Sequence, residues 1–174
     1  EASERWEDFT ILSGCEVDIL QNGKLDIDNE VLAQLDLVIA SVHSHMDIES
    51  EKMTDRLLHV LENPYVNILG HPTGRLLLRR DPYVYDFERV VAEASKCNVH
   101  IEINASPERL DLGFPHLRVA KSSGVKFTIS TDAHHTKHFD NMQYGVLSAR
   151  RGWLTVNDVL NTLSLEKFLK TLVR

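Results

Sequence analysis

KFTISTDAH, residues 126–134, is the stretch on which the fold is decided. A short apolar run of β type ends abruptly on an acid, Asp132, and an imidazole, His134, two residues apart. The same grammar recurs upstream. ILSGCE (11–16) ends on Glu16, LVIASVH (37–43) on His43, VNILGH (66–71) on His71 and HIEIN (100–104) on Asn104. Parallel strands buried on both faces read as short continuous hydrophobic runs. In a barrel or an open α/β sheet the carboxyl ends of such strands share one mouth, where ligands bind. Residues scattered over more than half of the chain are therefore expected to converge on one spot.

Helical patterns fill the intervals. Asn22-Gly23 marks a turn, and DNEVLAQL opens a short helix with Asp28 as the expected N-cap. After a strand at 37–42, residues 49–62 place Met53, Leu57, Val60 and Leu61 on one helical face, and Asn63-Pro64 stops that helix. A strand at 66–70, a helix at 86–97 capped by Asp86 and a strand at 99–104 follow. A helix at 115–123 ends at Gly124, a strand spans 125–130, and the remainder is helical with a break at Gly152. Strands alternating with helices favour parallel pairing through right-handed crossovers. Five strands are too few for a closed eight-stranded barrel, so either the sheet is open or part of a barrel lies upstream.

The 174 residues, 43% hydrophobic, are enough for one core and one domain. A net charge of −7, from 26 acidic and 19 basic residues, argues against a broad basic face for nucleic acid. The arginines are nevertheless clustered: Arg75, Arg79 and Arg80 in GRLLLRR, Arg109 after NASPE, and Arg150-Arg151 before Gly152-Trp153. Cys15 and Cys97 make neither a disulfide framework nor a thiolate zinc site and are expected as buried thiols in a reducing cytoplasm. No apolar run approaches the length of a membrane span, so no membrane partner is expected. The opening EASERWEDFTILSG lacks an initiator Met and enters a strand almost at once, as a fragment of a longer protein would.

Imidazole with carboxylate is the ligand mix of zinc, manganese or iron. Two such ions a few Å apart activate water and stabilise both oxygens of a phosphoester displacement. The joint placement of Glu16, His43, His71, Asp132 and His134 at strand ends singles them out. His59, His100 and His116 read as structural, His45 as a solvated loop residue, and His135 and His138 as exposed neighbours. Arg75, four residues beyond His71, is the first choice for an arginine that steadies a phosphate. No GxxxxGK[ST] loop, GxSxG elbow or HExxH helix occurs.

GCEVDIL, ASVHS, NPYVNILGHPTGRLLLRR, EINASPERLDL, STDAHH and the ARRGWL…DVLNT segment together resemble one family, over nearly the whole chain from about residue 11. It is the C-terminal PHP (polymerase and histidinol phosphatase) domain of bacterial and archaeal family X DNA polymerases. The resemblance implies a distorted (β/α)7 TIM-like barrel carrying up to three divalent ions, Zn, Mn or Fe, at the carboxyl ends of its strands. It implies Glu16 as a bridging carboxylate and His43, His71, Asp132 and His134 as further ligands; together with Arg75, chosen above for its position, Glu16, His71 and Asp132 make the expected catalytic set. The implied activity is 3′–5′ exonuclease and related phosphoesterase chemistry on DNA 3′ ends in cytoplasmic DNA repair, beside an attached polymerase domain. The family's His-x-His pair, a further Asp and a further His all precede the segment matching Glu16, and this chain begins after them. The expectation is accordingly a partial barrel, residues 1–174 forming the C-terminal part of a PHP domain with about five parallel strands retained. A histidinol-phosphatase-type small-molecule phosphatase and a non-catalytic module supporting a polymerase are the rival readings.

Overall fold

Five parallel strands lie side by side in the order in which the chain makes them. In the computed structural model, which describes residues 9–172, these are β1 (Gly14–Asp18), β2 (Leu37–Ser41), β3 (Ile68–Leu69), β4 (His100–Asn104) and β5 (Phe127–Ser130). The helices between and after them are α1 (Asn29–Leu32), α2 (Ser50–Leu61), α3 (Phe87–Lys96), α4 (Phe114–Ser122), α5 (Met142–Arg151) and α6 (Leu165–Leu172). A 3₁₀ turn, Thr136–Asn141, precedes α5. Each crossover lands on the adjacent strand and always advances in one direction. Right-handed connections that never reverse stack their helices on one face, which is the winding of a barrel rather than of a doubly wound sheet. The sheet is open, as a partial TIM-like barrel requires.

The two faces differ sharply, against the expectation of uniformly apolar strands. Strand register puts Ala40, Leu69, Ile101, Ile103, Phe127 and Ile129 on the helix-facing side. There they join Leu57, Val60 and Leu61 of α2, Val90, Val91 and Ala94 of α3, and Leu117 and Ala120 of α4 in one core. Each Val, Leu, Ile or Phe side chain among these stabilises the fold by about 1.5–3 kcal/mol when removed from water. The opposite face carries Glu16, Asp18, Ser41, Glu102, Asn104, Thr128 and Ser130. Polar groups lining a concave face mark a site rather than a packing surface.

Element ends follow local chemistry. β1 starts at Gly14 and not at residue 11 because Ser13 turns its amide and hydroxyl onto Asp36, both at 2.8 Å. β3 is only two residues long, and Asn67 before it adds its side chain to its backbone bonds with Val38 O and the His100 amide: Oδ1 accepts from the Val38 amide at 2.8 Å and Nδ2 donates to Leu172 O at 2.9 Å. α6 thereby docks at the amino ends of the strands, where His100 Nε2 also lies 3.1 Å from Thr171 O. Asp86 caps α3 through the Arg89 amide at 3.0 Å. Asp28 takes the N-cap position of α1 but its side chain makes no cap bond, in a helix of a single turn. The two cysteines are half-exposed thiols, not buried ones: Cys15 stands on the edge strand β1 and Cys97 at the end of α3.

The outer edge of β5 is covered. The Phe127 amide donates to Asp158 O at 2.9 Å, and the Asn161 side chain accepts from Ile129 N and donates to Ile129 O, imitating a strand. No described residue pairs with the outer edge of β1 as a strand. No helix among the described residues is long and apolar enough to cross a membrane.

Candidate metal centre

His43, His71 and Asp132 each stand two residues past the last residue of their strands, Ser41, Leu69 and Ser130. Ser41 and Ser130 lie on the polar face, so an offset of two keeps His43 and Asp132 on that face. Leu69 lies on the apolar face, and His71 reaches Glu16 from the loop, where its backbone has left strand geometry. Two of them carry unusual backbone. His71 (φ 25°) and Asp132 (φ 52°) lie in the left-handed region that favours glycine, an arrangement costing about 1–3 kcal/mol and typical of functional sites. Gly70 makes the approach possible: a Cβ there would lie 2.2 Å from Ser41 Oγ and 2.8 Å from Ile39 Cγ2.

The loops bring three ligand atoms together. Glu16 Oε1 lies 3.0 Å from His71 Nε2 and 3.5 Å from His43 Nε2, and the two Nε2 atoms are 3.2 Å apart. Zinc sits about 2.0–2.1 Å from nitrogen and oxygen ligands, which makes the edge of a coordination tetrahedron about 3.3 Å. The observed triangle matches that edge on all three sides. The donor set also fits: among the described residues this is the group of His, Cys, Asp and Glu side chains arranged to hold a cation.

Neighbouring residues orient the donors. His43 Nδ1 is hydrogen-bonded to Asp18 Oδ1, the carboxylate–histidine pairing that turns the other ring nitrogen toward a metal. Without a cation the three groups satisfy one another electrostatically. The imidazoles of His43 and then His71 hold the Glu16 carboxyl well below the usual carboxylate range. The Glu16 carboxylate, with Asp18 adding to it, pushes His43 up to about 9. A proton and a cation thus compete for His43 Nε2.

Glu102, absent from the sequence-derived set, links this triad to Asp132. It is buried on β4, where Oε2 accepts from the His71 amide at 2.5 Å and from Asn104 Nδ2 at 3.5 Å, while Oε1 accepts from the Ser130 hydroxyl. Burial pushes its carboxyl up, opposed by the Ser130 hydroxyl and the His71 amide. Asn104 Nδ2 in turn reaches Asp132 Oδ2 at 3.2 Å. The sequence signal was a charged residue inside HIEIN, on the same strand face as Asn104.

Asp132 and His134 lie outside the tight triangle. His134 Nδ1 donates to Asp132 O at 2.8 Å, which leaves its exposed Nε2 an open acceptor. The arginine beside Asp132 is Arg109, with Nε 3.6 Å from Oδ2. Arg75 is engaged elsewhere: its Nε donates to Arg109 O at 2.9 Å and its Nη2 to Leu110 O, and Gly113 leaves room for the guanidinium against the backbone. Arg75 clamps the loop that carries Arg109. A second arginine acts in the same way. Arg56, buried on the core face of α2, donates to the carbonyls of Ile19, Leu20, Ser44 and His45, tying the end of β1 to the loop that bears His43. His45 is exposed and His116 packs on Phe87, as solvated and structural roles require.

Comparison with known proteins agrees with this geometry. No protein-family model matches the chain. It is 46% identical over 95% of its length to the DNA polymerase/3′–5′ exonuclease PolX of Bacillus subtilis, of which it spans 30%. It is 31% identical over 91% of its length to a probable phosphatase of Thermoanaerobacter sp., spanning 66% of that protein. A probable phosphatase of Clostridium acetobutylicum is 38% identical over 78% of the chain and is covered to 58%. The chain spans less than a third of the first relative and about two thirds or less of the others. With the open, singly wound sheet and the Glu/His/His cluster at its mouth, these matches establish that the chain belongs to the PHP family, as the region shared with PolX.

Proposed function

We propose that this chain is the C-terminal part of a metal-dependent phosphoesterase domain that processes DNA 3′ ends within a PolX-type polymerase, in the cytoplasm and in DNA repair. The observation that carries the reading is the triangle of Glu16 Oε1, His43 Nε2 and His71 Nε2, with sides of 3.0–3.5 Å. Its edges and donor types suit Zn or Mn, with Fe as a further option. A divalent ion there supplies Lewis-acid stabilisation of phosphoryl oxygens and lowers the pKa of water. Glu16, His43 and His71 hold it, and Asp132 with His134 adds donors beyond the end of β5, across β4 from the triad.

The chain's own residues do the rest. Asp18 fixes the tautomer of His43 by accepting a hydrogen bond from its Nδ1–H, which leaves Nε2 as the donor to a metal. Glu102 holds the strained His71 backbone in place and, through Asn104, sets Asp132 at a defined distance from the triad. Arg109, whose Nη1 has no hydrogen-bond partner among the described residues, provides a cation beside Asp132 for a phosphate oxygen. Arg75 serves that role indirectly, by keeping Arg109 there.

The test is release of mononucleotides from a 3′-recessed duplex with Mn²⁺, compared with release of phosphate from histidinol phosphate. Wild-type protein should favour the duplex, and His71→Ala and Asp132→Ala should each lose at least 100-fold in rate. Normal hydrolysis by both variants would overturn the site. Preference for histidinol phosphate would support the second reading, a small-molecule phosphatase, which the names of the Thermoanaerobacter and Clostridium relatives favour.

A further inference from the structure

The chain is acidic, yet no Asp or Glu occurs from Leu112 to Thr131 or from Asn141 to Asn157. Those two stretches contain α4 and α5, which pack against each other through Gly152 and Leu117. Their basic residues are Arg118, Lys121, Lys126, Arg150 and Arg151. The result is a predominantly cationic island on a molecule of net charge −7, with Asp158 beside Lys121 at its border.

Aromatic rings are interleaved with these cations. The Arg118 guanidinium lies 3.7 Å from the centre of the Trp153 ring and 5.6 Å from that of Phe114, and Arg151 lies 4.7 Å from the Phe114 ring. Trp153 is 67% exposed and is held in the left-handed region at φ 62°. Apart from its contact with Arg118, a ring this exposed adds little to the core. Lys121 fixes the Trp153 backbone by donating to its carbonyl at 2.7 Å, and Arg118 supports the segment through Arg151 O at 3.3 Å. Arg118, Arg150 and Arg151 form no salt bridge with a described carboxylate, whereas Lys121 pairs with Asp158 at 3.0 Å.

We propose that this α4–α5 face binds single-stranded DNA, with Trp153 as a stacking platform backed by Arg118 and with Arg150 and Arg151 as phosphate contacts. Single strands are held this way in general, by rings that stack on bases of any sequence and by a cationic track for the backbone. Phe114 follows Arg109 by five residues, so their Cα atoms are no more than about 18 Å apart. The face therefore begins close to the loop beside Asp132, and a strand lying on it leads its end toward the candidate site. The choice of DNA, and this route, rest on the function proposed above.

The experiment is fluorescence anisotropy of 5′-labelled dT15 with this chain in EDTA, over 50–200 mM salt. Wild-type protein should bind. Trp153→Ala should weaken binding about 5- to 100-fold. Arg150→Ala/Arg151→Ala should lower the slope of log K against log salt by about 1.4, as expected for two lost phosphate contacts on a single strand. Arg89→Ala/Lys96→Ala, on exposed positions of α3, removes the same charge and should leave the slope unchanged. Circular dichroism checks the fold of each variant, and the arginine pair decides if Trp153→Ala unfolds. Absence of wild-type binding, equal effects of both double variants, or tighter binding of rU15 than of dT15 would each overturn the proposal. Hydrolysis of bis-p-nitrophenyl phosphate by wild-type protein with Mn²⁺ separates the two readings. Hydrolysis without dT15 binding removes this inference alone, and dT15 binding without hydrolysis removes the catalytic one.

Discussion

Replacing Arg75 by methionine separates a loop clamp from a phosphate ligand. The guanidinium donates from Nε to Arg109 O and from Nη2 to Leu110 O, inside a segment that includes Leu110 in left-handed backbone at φ 45°. Methionine keeps much of the apolar stem and loses both bonds. A hydrogen bond from a charged donor contributes about 1.5–3 kcal/mol, and water can partly replace it at half-exposed carbonyls, so the loss should be about 2–3 kcal/mol. For a chain of this size that lowers Tm by roughly 4–12 °C. Hydrogen exchange should also rise in residues 105–113 ahead of the core strands. Arg75→Lys, which can keep one of the two bonds, should fall between. The assay is a thermal melt with peptide-resolved exchange. A Tm within about 1 °C of wild type, with unchanged exchange and a raised KM for a phosphoester, would refute the clamp and return Arg75 to direct contact with substrate.

Two further outcomes follow from the same contacts. Asp18→Asn removes the charged acceptor that orients His43 Nδ1 and should weaken divalent-metal binding about 10- to 100-fold, read by competition with a chromogenic chelator. An unchanged affinity would place Asp18 outside the site's support. Asp111 is buried, and that burial pushes its carboxyl up even though Oδ2 accepts from the Thr73 amide at 2.9 Å. A carboxyl raised in the folded state adds stability that is complete below its unfolded value near 3.8 and is lost as pH rises through the folded one. Asp111→Asn should therefore melt about 2–4 °C higher than wild type at pH 7, an advantage that shrinks toward pH 4. A gap that widens on acidification would invert the reasoning.

The strand ends were legible because the chain marks them chemically. His43, His71 and Asp132 each follow an apolar run, and a polar residue where a strand leaves the core is visible without coordinates. Glu16 was found by the same sign but does not end its strand, since β1 runs on to Asp18. Glu102 was harder to see. It sits in the middle of a run and its meaning depends on which face it occupies, set by pairing with Thr128 across 26 positions of sequence. Arg56 hides in the same way: it falls between Met53, Leu57 and Val60 on the buried stripe of α2, where an arginine is readily taken for surface. Its partners are backbone carbonyls, which no pattern of side chains reveals. Arg75 was singled out by proximity to His71, but proximity in sequence does not fix where a long side chain turns, and two carbonyls of the next loop receive it.

The division of the sheet into an apolar face and a polar face has a consequence for descent. Residues that hold the helices in place, such as Phe127 and Ile101, share no face with those that hold the donors, such as Glu102 and Asn104. Substitution on one side leaves the other side's requirements nearly untouched. A lineage can then exchange loop tips and peripheral helices to suit a polymer end or a small phosphate ester while inheriting the same frame. Relatives named as an exonuclease and as probable phosphatases are what such a frame permits.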